Sequence, residues 1–318
     1  MNQGAVMPLL KQFLLLAALL LLLIVPTETE VVASVEKCNE FFLQQTPPNI
    51  TRILERGKIF NQNRYKLICQ TLNNTRTFVT LYDTQNKIPF FSAAEFNGNI
   101  SGRTDIWMIE PQLENIRDKG TMRKSNKNII YNYQAGNEDY KNNQGFDRGH
   151  LFPSSYGSTP IEKRSTFTLT NIVPQIGNFN QGSWNRMENC VKCVLNEYCL
   201  NNNDKIEGFV VTGALPSNNS LNNKINIPSV LWSAFCCYSH RQNSWLASAH
   251  WGENVADGPK YLQTQTLTEL HRTLGIEPFS QTQCPLHTTV SHLYSDLSSN
   301  CNCSPTSSTS SPTTAAIP

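Results

Sequence analysis

Three polar side chains stand at spacings that could place them in one site. His150 lies in the run GFDRGHLFPSS, Asn180 follows it by thirty residues, and Glu188 lies eight residues further on. Eight residues are just over two helical turns, so Asn180 and Glu188 would look toward a common side of a regular helix. An imidazole, an amide and a carboxylate form the hard-oxygen, water-rich environment that Mg²⁺ prefers, whereas structural zinc needs three or four softer ligands. These residues therefore predict a magnesium site.

Arg148, two residues before His150, indicates the charge of the substrate. A guanidinium beside a histidine that must stay neutral is unfavourable unless an anion lies between them. A phosphodiester supplies that anion, and a neutral imidazole, which titrates near ~6.5 when unperturbed, can then take a proton from the attacking water. A metal ion would stabilise the charge that develops on phosphorus and on the leaving oxygen. The pattern predicts metal-dependent hydrolysis of a phosphodiester.

The elements that must position these residues can be read from the apolar pattern. STFTLTNIVPQ (165–175) predicts a strand that Pro174 ends. Apolar residues at three- and four-residue spacing between 184 and 198 predict a long helix, with Asn178 or Asn180 as its cap. Further strands, a second helix ended by Gly275 and long loops in residues 97–145 complete the pattern, which predicts an α+β fold with antiparallel sheets. The predicted strands are 76–83 and 88–96, which form a hairpin, 208–215 and 229–239, and the second helix is 261–275.

The motifs that carry the chemistry resemble those of a known family. DRGH (147–150), TLTNIVPQ (168–175) and FNQGSWNRMEN (179–189) resemble the DNA/RNA non-specific endonucleases of the ββα-metal, or His-Me finger, superfamily. That family includes secreted bacterial nucleases and mitochondrial endonuclease G. Flanking features such as LYDTQNKIPFFSAAEF and CCYS are similar to one vertebrate branch, the endonuclease domain-containing 1 proteins. The resemblance spans about residues 75–275 and implies a ββα-metal nuclease fold with a long active-site helix.

The resemblance also implies a role for each motif residue. His150 would be the general base, and Asn180 would be the direct protein ligand of Mg²⁺, with Mn²⁺ as the alternative ion. Glu188 would hold metal-bound water and Arg148 would contact the phosphate. The outer residues would be Asp147 and Asn171, which brace the site, and Arg186, which would touch the nucleic-acid backbone.

One departure from the family pattern concerns phosphate binding. Enzymes of the bacterial type carry an arginine that clamps phosphate near the end of the second early strand, where this chain has SAAEF with Glu95. Either another basic residue substitutes for it, or transition-state stabilisation is weaker. Two functions therefore stay open: a non-specific endonuclease acting on DNA, RNA or both, and a weak or inactive nuclease fold that serves as a binding module.

The net charge of the chain does not by itself predict how a substrate binds. The net charge of the chain is +2, so no overall basic field attracts nucleic acid, and any polyanion site must be local. The densest positive run is RDKGTMRKSNK (117–127). A solvated loop is the simpler interpretation of this run, and a phosphate track is the alternative.

The ends of the chain indicate export. Residues 1–33 contain a short apolar run and predict a signal peptide, with an uncleaved signal anchor as the alternative. Residues 34–303 form the predicted nuclease-like domain and 304–318 a Ser/Thr/Pro-rich disordered tail. An even count of ten cysteines predicts disulfides of open connectivity, with Cys236 and Cys237 bridging different elements because they point to opposite faces of a strand. We therefore expect a secreted protein without a stable membrane span. Its candidate glycosylation sites are Asn49, Asn73, Asn99, Asn218 and Asn302.

Overall fold

An antiparallel sheet of seven strands organises the chain. The computed structural model describes residues 30–102 and 106–305. The sheet has the order β1-β2-β3-β4-β7-β8-β9, and β5 and β6 form a separate two-stranded ladder. The strands are β1 Val31–Val32, β2 Tyr65–Leu72, β3 Thr75–Asp83, β4 Ile88–Phe96, β5 Phe146–His150, β6 Ile172–Ile176, β7 Gly208–Leu215, β8 Val230–Ser239 and β9 Ser244–Glu253. The predicted hairpin of β3 and β4 is confirmed, as are β7, β8 and the α+β class.

Eight further strands of two residues each lie outside these nine. They extend loops or pair with one another at the margins of the domain. Most of residues 97–145 is loop, as predicted, with only short elements inside it. The short strands are Asn49–Ile50, Leu54–Glu55, Lys58–Ile59, Met108–Ile109, Arg123–Lys124, Ser220–Leu221, Ile225–Asn226 and Ile276–Glu277.

Helices are few and short. They are α1 Pro111–Glu114, α2 Pro160–Ser165, α3 Gly177–Phe179, α4 Asn185–Tyr198 and α5 Leu267–Leu274, with a π-helical segment, Asn180–Trp184, between α3 and α4. Short 3₁₀ turns connect several strands. Helix α5 ends at Gly275, whose φ of 71° is left-handed, as predicted. It begins later than predicted because Thr266 and Glu269 form a capping box there. Among the described residues, no helix combines the length and apolar character needed to cross a bilayer.

The central sheet is buried on both faces. On one face, Trp184 and Leu195 of the α4 region join a core with Phe235. On the other face, the N-terminal segment and α5 contribute Leu54 and Leu270 to a second core. A sheet covered on both faces requires apolar residues at successive positions, which explains runs such as GFVVTGAL that do not alternate. The face that carries α4 also carries β5 and β6.

Five disulfides tie the outer elements to this framework. Cys236 and Cys237 bridge different elements, as predicted, and the two cysteines of the C-x-x-C on α4 both bond to the C-terminal segment. No cysteine among the described residues is free. Disulfides of this number are typical of an oxidising compartment. The pairs are Cys38–Cys69, Cys190–Cys303, Cys193–Cys301, Cys199–Cys237 and Cys236–Cys284.

The last residues of the predicted leader pack onto the central sheet, whereas the approximate boundary at residue 34 stays a prediction. Glu30 is fully buried, its carbonyl accepts a hydrogen bond from the Cys69 amide at 2.8 Å, and β1 pairs with β2. The end of the predicted leader, residues 30–33, therefore belongs to the fold, and its remainder lies outside the described residues. The predicted tail lies outside them as well, apart from Ser304 and Pro305.

Candidate active site

Strands β5 and β6 form the two-stranded ladder that carries the DRGH motif. They pair antiparallel, with Arg148 opposite Pro174 and His150 opposite Ile172. The predicted strand over 165–175 is wrong at both ends, because Leu169–Asn171 is a 3₁₀ turn and Pro174 lies inside β6. Proline is tolerated in a strand edge that needs no N–H donor, and both strands of a two-stranded ladder are edges.

Asn171 holds the chain immediately after His150. Its side chain is fully buried, and its Nδ2 donates to the carbonyls of Phe152 at 2.9 Å and Thr166 at 3.1 Å. Its Oδ1 accepts from the Phe152 amide at 3.0 Å, and its own carbonyl accepts from the Leu151 amide at 2.9 Å. Both the nitrogen and the oxygen of the Asn171 side-chain amide are thus hydrogen-bonded to the backbone, which suits the bracing position that the resemblance implies for this residue.

Arg148 and His150 lie side by side against one aromatic ring. The Arg148 guanidinium is 4.9 Å from the centre of the Trp107 ring and 5.1 Å from that of Tyr140. The His150 ring is 5.7 Å from the Trp107 ring and 4.8 Å from that of Phe167, centre to centre. Cation–π contact stabilises a guanidinium while leaving its N–H donors available at the edge. The structure therefore brings these two predicted site residues together.

Trp107 is the residue that sequence reasoning missed. It sits in a short apolar island within a predicted loop, and nothing in its spacing relates it to Arg148 forty-one residues later. Asn137 is a second missed neighbour: its Oδ1 accepts from Arg148 Nη1 at 3.0 Å. Burial lowers the pKa of Arg148, though an arginine stays charged at physiological pH.

Asp147 connects β5 to the segment that contains Asn180. The Asn180 Nδ2 donates to Asp147 Oδ2 at 2.9 Å, and Gln181 Nε2 donates to the same oxygen at 2.8 Å. Holding the amide nitrogen in this way fixes the orientation of the whole amide group, so that its Oδ1 is the end turned away from Asp147. An oriented amide oxygen is a suitable ligand for a hard cation.

The start of the helix differs from the prediction. Neither Asn178 nor Asn180 caps it with a side chain; instead α3 passes into the π segment, in which Gly182 has non-helical backbone angles of −96° and −110°. The expected angle between Asn180 and Glu188 assumed a regular helix, so that premise does not hold, and the common orientation of the two side chains stays a prediction. Single π turns within helices are frequent at functional sites.

Glu188 lies on the first turn of α4 and is half-buried. Burial raises the pKa of its carboxyl to about 8, against the opposing effects of the neighbouring Trp184 indole and the charge of Lys192. Its backbone carbonyl accepts from the Tyr156 hydroxyl at 2.9 Å, which anchors this turn to the segment after β5. A buried carboxyl without a cationic partner in direct contact is a common feature of functional sites.

Arg186 contacts the loop after β9. Its Nη1 donates to the Lys260 carbonyl at 3.3 Å, and its guanidinium is 5.9 Å from the centre of the Tyr261 ring. It therefore contacts the loop after β9 and not the residues of the DRGH motif. Its predicted contact with the nucleic-acid backbone stays a prediction.

Glu95 occupies the place where the resemblance led us to expect an arginine. It lies on β4 opposite Phe209 and is half-buried. Burial raises the pKa of Glu95, and the charges of Glu207 and Glu162 add to this effect. Its surroundings are therefore acidic, which does not favour a second phosphate contact at this position.

The residues present fit a hydrated divalent ion. Within residues 30–102 and 106–305, no three His, Cys, Asp or Glu side chains are grouped as ligands. An ion here would rely on the Asn180 amide oxygen and on water, with the Asp147 carboxyl hydrogen-bonded to that amide and Glu188 eight residues further along the chain. Mg²⁺ keeps several waters and binds few protein oxygens, so this donor set suits it better than it suits zinc.

Comparison with known proteins identifies the class. Residues 56–268 match the family of DNA/RNA non-specific endonucleases. This match covers more than half of the chain, so the chain belongs to that family, and its fold is the ββα-metal nuclease fold. Nucleases of this family depend on a divalent metal ion and act on nucleic acid.

Within the family, the chain is similar to several individual proteins. It is 28% identical to the human endonuclease domain-containing 1 protein over 215 residues, which are 65% of this chain and 40% of that protein. It is 36% identical to the mitochondrial nuclease EXOG of Xenopus laevis over 36% of this chain and 31% of that one. A solved structure of an EndoG/EndoGI complex aligns with a TM-score of 0.47 at 19% identity, over 66% of this chain and 87% of that one. The chain thus spans about two fifths of the length of the human relative.

Proposed function

We propose that this chain is a secreted, Mg²⁺-dependent endonuclease that cleaves DNA and RNA without sequence preference. One observation carries the proposal. Arg148 and His150, both on β5, contact the same Trp107 ring, and Asp147 of the same strand orients the Asn180 amide. A phosphate-binding cation, a base and a metal-ligating amide are thereby supplied within one ββα unit. Because these groups serve phosphate and metal and not base edges, recognition should run through the backbone.

In the proposed reaction, each side chain has one task. Arg148 binds a non-bridging phosphate oxygen through guanidinium N–H groups other than those that donate to Asn137. His150 takes the proton of the attacking water, and its ring is held by its contacts with Trp107 and Phe167. When bound, the metal ion supplies stabilisation of the negative charge that develops on the phosphate and the leaving oxygen.

The remaining residues hold the site in place. Asn180 would bind the ion through Oδ1 while Asp147 fixes its Nδ2, and Glu188 would accept hydrogen bonds from water on the ion. Asn171 keeps the backbone after His150 in position through its hydrogen bonds to Phe152. Removing such an outer contact is expected to lower metal affinity or activity tenfold to a hundredfold.

Export is part of the proposal. Five disulfides and the predicted leader support secretion into an oxidising compartment. Because Glu30 and β1 belong to the fold, we place cleavage of the leader before Glu30 and not after residue 33. N-terminal sequencing of the secreted protein tests this placement, and a mature chain that begins at residue 34 would contradict it.

The direct test is cleavage of plasmid DNA and of a long RNA by purified protein, with Mg²⁺ and with EDTA. The wild type should nick and linearise plasmid only with the ion, and His150→Ala should lower the rate by about 10²–10⁴-fold, the usual contribution of a general base. His292→Ala, on an exposed 3₁₀ turn, is the matched control and should cleave like the wild type. Equal cleavage by wild type and His150→Ala would reject His150 as the base.

Glu95 favours one alternative function, a nuclease fold that binds nucleic acid and cleaves it weakly or not at all. Its acidic surroundings leave the expected second phosphate contact unfilled. This alternative predicts no turnover that depends on a divalent ion, even at micromolar protein, while binding persists. Under this alternative, Glu95→Arg should raise activity because it restores the second phosphate contact. If the wild type already cleaves and Glu95→Arg does not increase its rate, the second phosphate contact is not needed.

A further inference from the structure

The basic run 117–127 lies next to the Arg148 site. It contains Arg117, Lys119, Arg123, Lys124 and Lys127 against a single acidic residue, Asp118. Arg123 and Lys124 form a short strand that pairs with Met108–Ile109, the two residues that follow Trp107. The short strand Arg123–Lys124 therefore lies next to the segment of Trp107, although sequence reasoning favoured a solvated loop for the run.

Two hydrogen bonds join this strand to the partners of Arg148. The Ser125 amide donates to the Trp107 carbonyl at 2.9 Å. Asn137 Nδ2 donates to the Ser125 carbonyl at 3.4 Å, and its Oδ1 accepts from Arg148 Nη1 at 3.0 Å. Asn137 thus bridges the end of the basic strand to Arg148, so this strand lies close to the proposed phosphate site.

The basic side chains are exposed and are not neutralised within the protein. In the part of the chain that the structure describes, Lys119, Arg123, Lys124 and Lys127 have no carboxylate in ion-pair contact. An ordinary solvated face on a chain of net charge +2 mixes both signs, whereas this run is almost entirely positive. Charge of one sign beside a phosphate site attracts a polyanion.

Exposed apolar side chains follow the basic run. Ile130 is 64% exposed and Tyr133 is 52% exposed, in the loop between the basic strand and Asn137. Tyr133 is fixed at its backbone, where its amide donates to Glu114 Oε1 at 3.0 Å. Aromatic and aliphatic side chains beside a basic track are typical of surfaces that contact the bases of a nucleic acid as well as its phosphates.

We infer that residues 117–133 form a nucleic-acid binding surface that holds the phosphates next to the one being cleaved. We name it the basic strand surface. The inference rests on the proposed function for its placement beside a scissile phosphate, but its binding role does not require hydrolysis. A strand bound by Arg148 would continue over Ser125 toward Arg123 and Lys124, so the surface would set how well long substrates bind.

The test measures binding without catalysis. His150→Ala protein is titrated with a fluorescently labelled 30-base-pair duplex in EDTA, at several salt concentrations, and anisotropy gives the Kd. The test variant adds Arg123→Gln, Lys124→Gln and Lys127→Gln. The matched control adds Arg52→Gln, Arg56→Gln and Lys58→Gln, which are exposed basic residues of the segment that packs on the opposite face of the central sheet.

The test variant should bind at least tenfold more weakly at about 0.1 M salt. Each lost phosphate contact should also lower the slope of log K against log salt by about 0.9, giving a change of two to three. The control variant should change the Kd by less than threefold. Equal losses of affinity in the two variants would show that the effect comes from net charge alone and would overturn the inference. An unchanged Kd in the test variant would also overturn it.

A second measurement separates this inference from the proposed function. In protein with His150 intact, the ratio of kcat/KM on the duplex to kcat/KM on a small chromogenic phosphodiester should fall at least tenfold in the test variant. A wild type that cleaves neither substrate would reject the nuclease proposal but leave the binding result to decide on the basic strand surface. Weaker binding of heparin with unchanged binding of duplex would assign the surface to another polyanion and overturn the inference.

Discussion

The two ends of the segment 177–198 are held in different ways. At the first end, Asn180 and Gln181 are tied to β5 by two hydrogen bonds to a single oxygen of Asp147, and the chain passes through a π turn. Toward the other end, Cys190 and Cys193 are bonded covalently to the C-terminal segment, and Cys199, just past α4, is bonded to β8. Both ends place side chains in the core, but the first is tied to its neighbour by hydrogen bonds and the second by covalent bonds.

This difference suggests a division between chemistry and stability along one element. A ligand-binding end held by hydrogen bonds can adjust to an ion and a phosphate more readily than an end held by disulfides, since functional segments are drawn from the less stable parts of a fold. The disulfides at the other end keep α4 in register while that adjustment takes place. The comparison predicts that changes at the two ends have separable effects.

The largest expected effect is on stability, from the disulfide end. Replacing Cys193 and Cys301 with serine should lower the free energy of unfolding by about 2–5 kcal/mol, because the unfolded chain regains a long loop. Urea unfolding measures this loss. Plasmid cleavage at 20 °C should stay within about threefold of the wild type, and a loss of activity at temperatures where the variant is fully folded would contradict the division.

The next effect is on activity, from the hydrogen-bonded end. Asp147→Asn should lower the rate of Mg²⁺-dependent cleavage by about 10–100-fold, because Asn180 loses the carboxylate that orients its amide. The unfolding midpoint in EDTA should move little. Asp204→Asn, on an exposed turn outside the site and outside the basic strand surface, is the matched control for the loss of one carboxylate and should not lower the rate. A variant that unfolds more easily and cleaves normally would reverse the comparison.

A third region sharpens the comparison, because it is polar and yet fully enclosed. Glu30 and Glu110 are both completely buried, and the charge of Glu110 acts on the Glu30 carboxyl. Glu110 Oε1 also accepts from the hydroxyls of Thr168 at 2.5 Å and Thr170 at 3.0 Å, just before Asn171. Burial, together with the charge of Glu110, raises the pKa of Glu30 well above its ordinary value, and burial raises the pKa of Glu110.

The smallest predicted effect is a dependence of stability on pH. The pKa values of Glu30 and Glu110 are higher in the folded protein than in the unfolded chain, where a Glu titrates near ~4.3. The two protonated carboxyls therefore contribute their full stabilisation below ~4.3, and this stabilisation is lost as the pH rises through their pKa values in the folded protein. The Tm of the wild type should therefore fall between pH 5 and pH 9, and Glu30→Gln should make this fall smaller. Glu36→Gln, on an exposed 3₁₀ turn, is the control and should keep the wild-type slope. Equal slopes in all three proteins would show that the pair does not titrate in this range.

Much of the framework follows from local sequence patterns. The hairpin of β3 and β4, the strands β7 and β8 and the end of α5 at Gly275 could be predicted because alternation, apolar runs and a left-handed glycine are local signals. The resemblance of the three motifs identified the family for the same reason. The π turn could not be predicted, since its sequence is compatible with a regular helix.

The parts that could not be predicted depend on contacts between distant residues. Trp107 joins the site through folding of a long loop, and Asn180 binds Asp147 in place of capping a helix. Pro174 fits inside β6 only because the ladder has two strands, which no local pattern indicates. The disulfide pairing likewise depends on which elements meet, as with Cys190 and Cys303.

The central claim is that Asn180 holds the metal ion while His150 acts on water without holding it. Titration with Mn²⁺, followed by electron paramagnetic resonance of the free ion, tests this directly in wild type, Asn180→Ala and His150→Ala. The account predicts one site in the wild type, at least tenfold weaker binding in Asn180→Ala, and unchanged affinity in His150→Ala, which should nevertheless fail to cleave plasmid. Unchanged Mn²⁺ affinity in Asn180→Ala, or its loss in His150→Ala, would contradict the account.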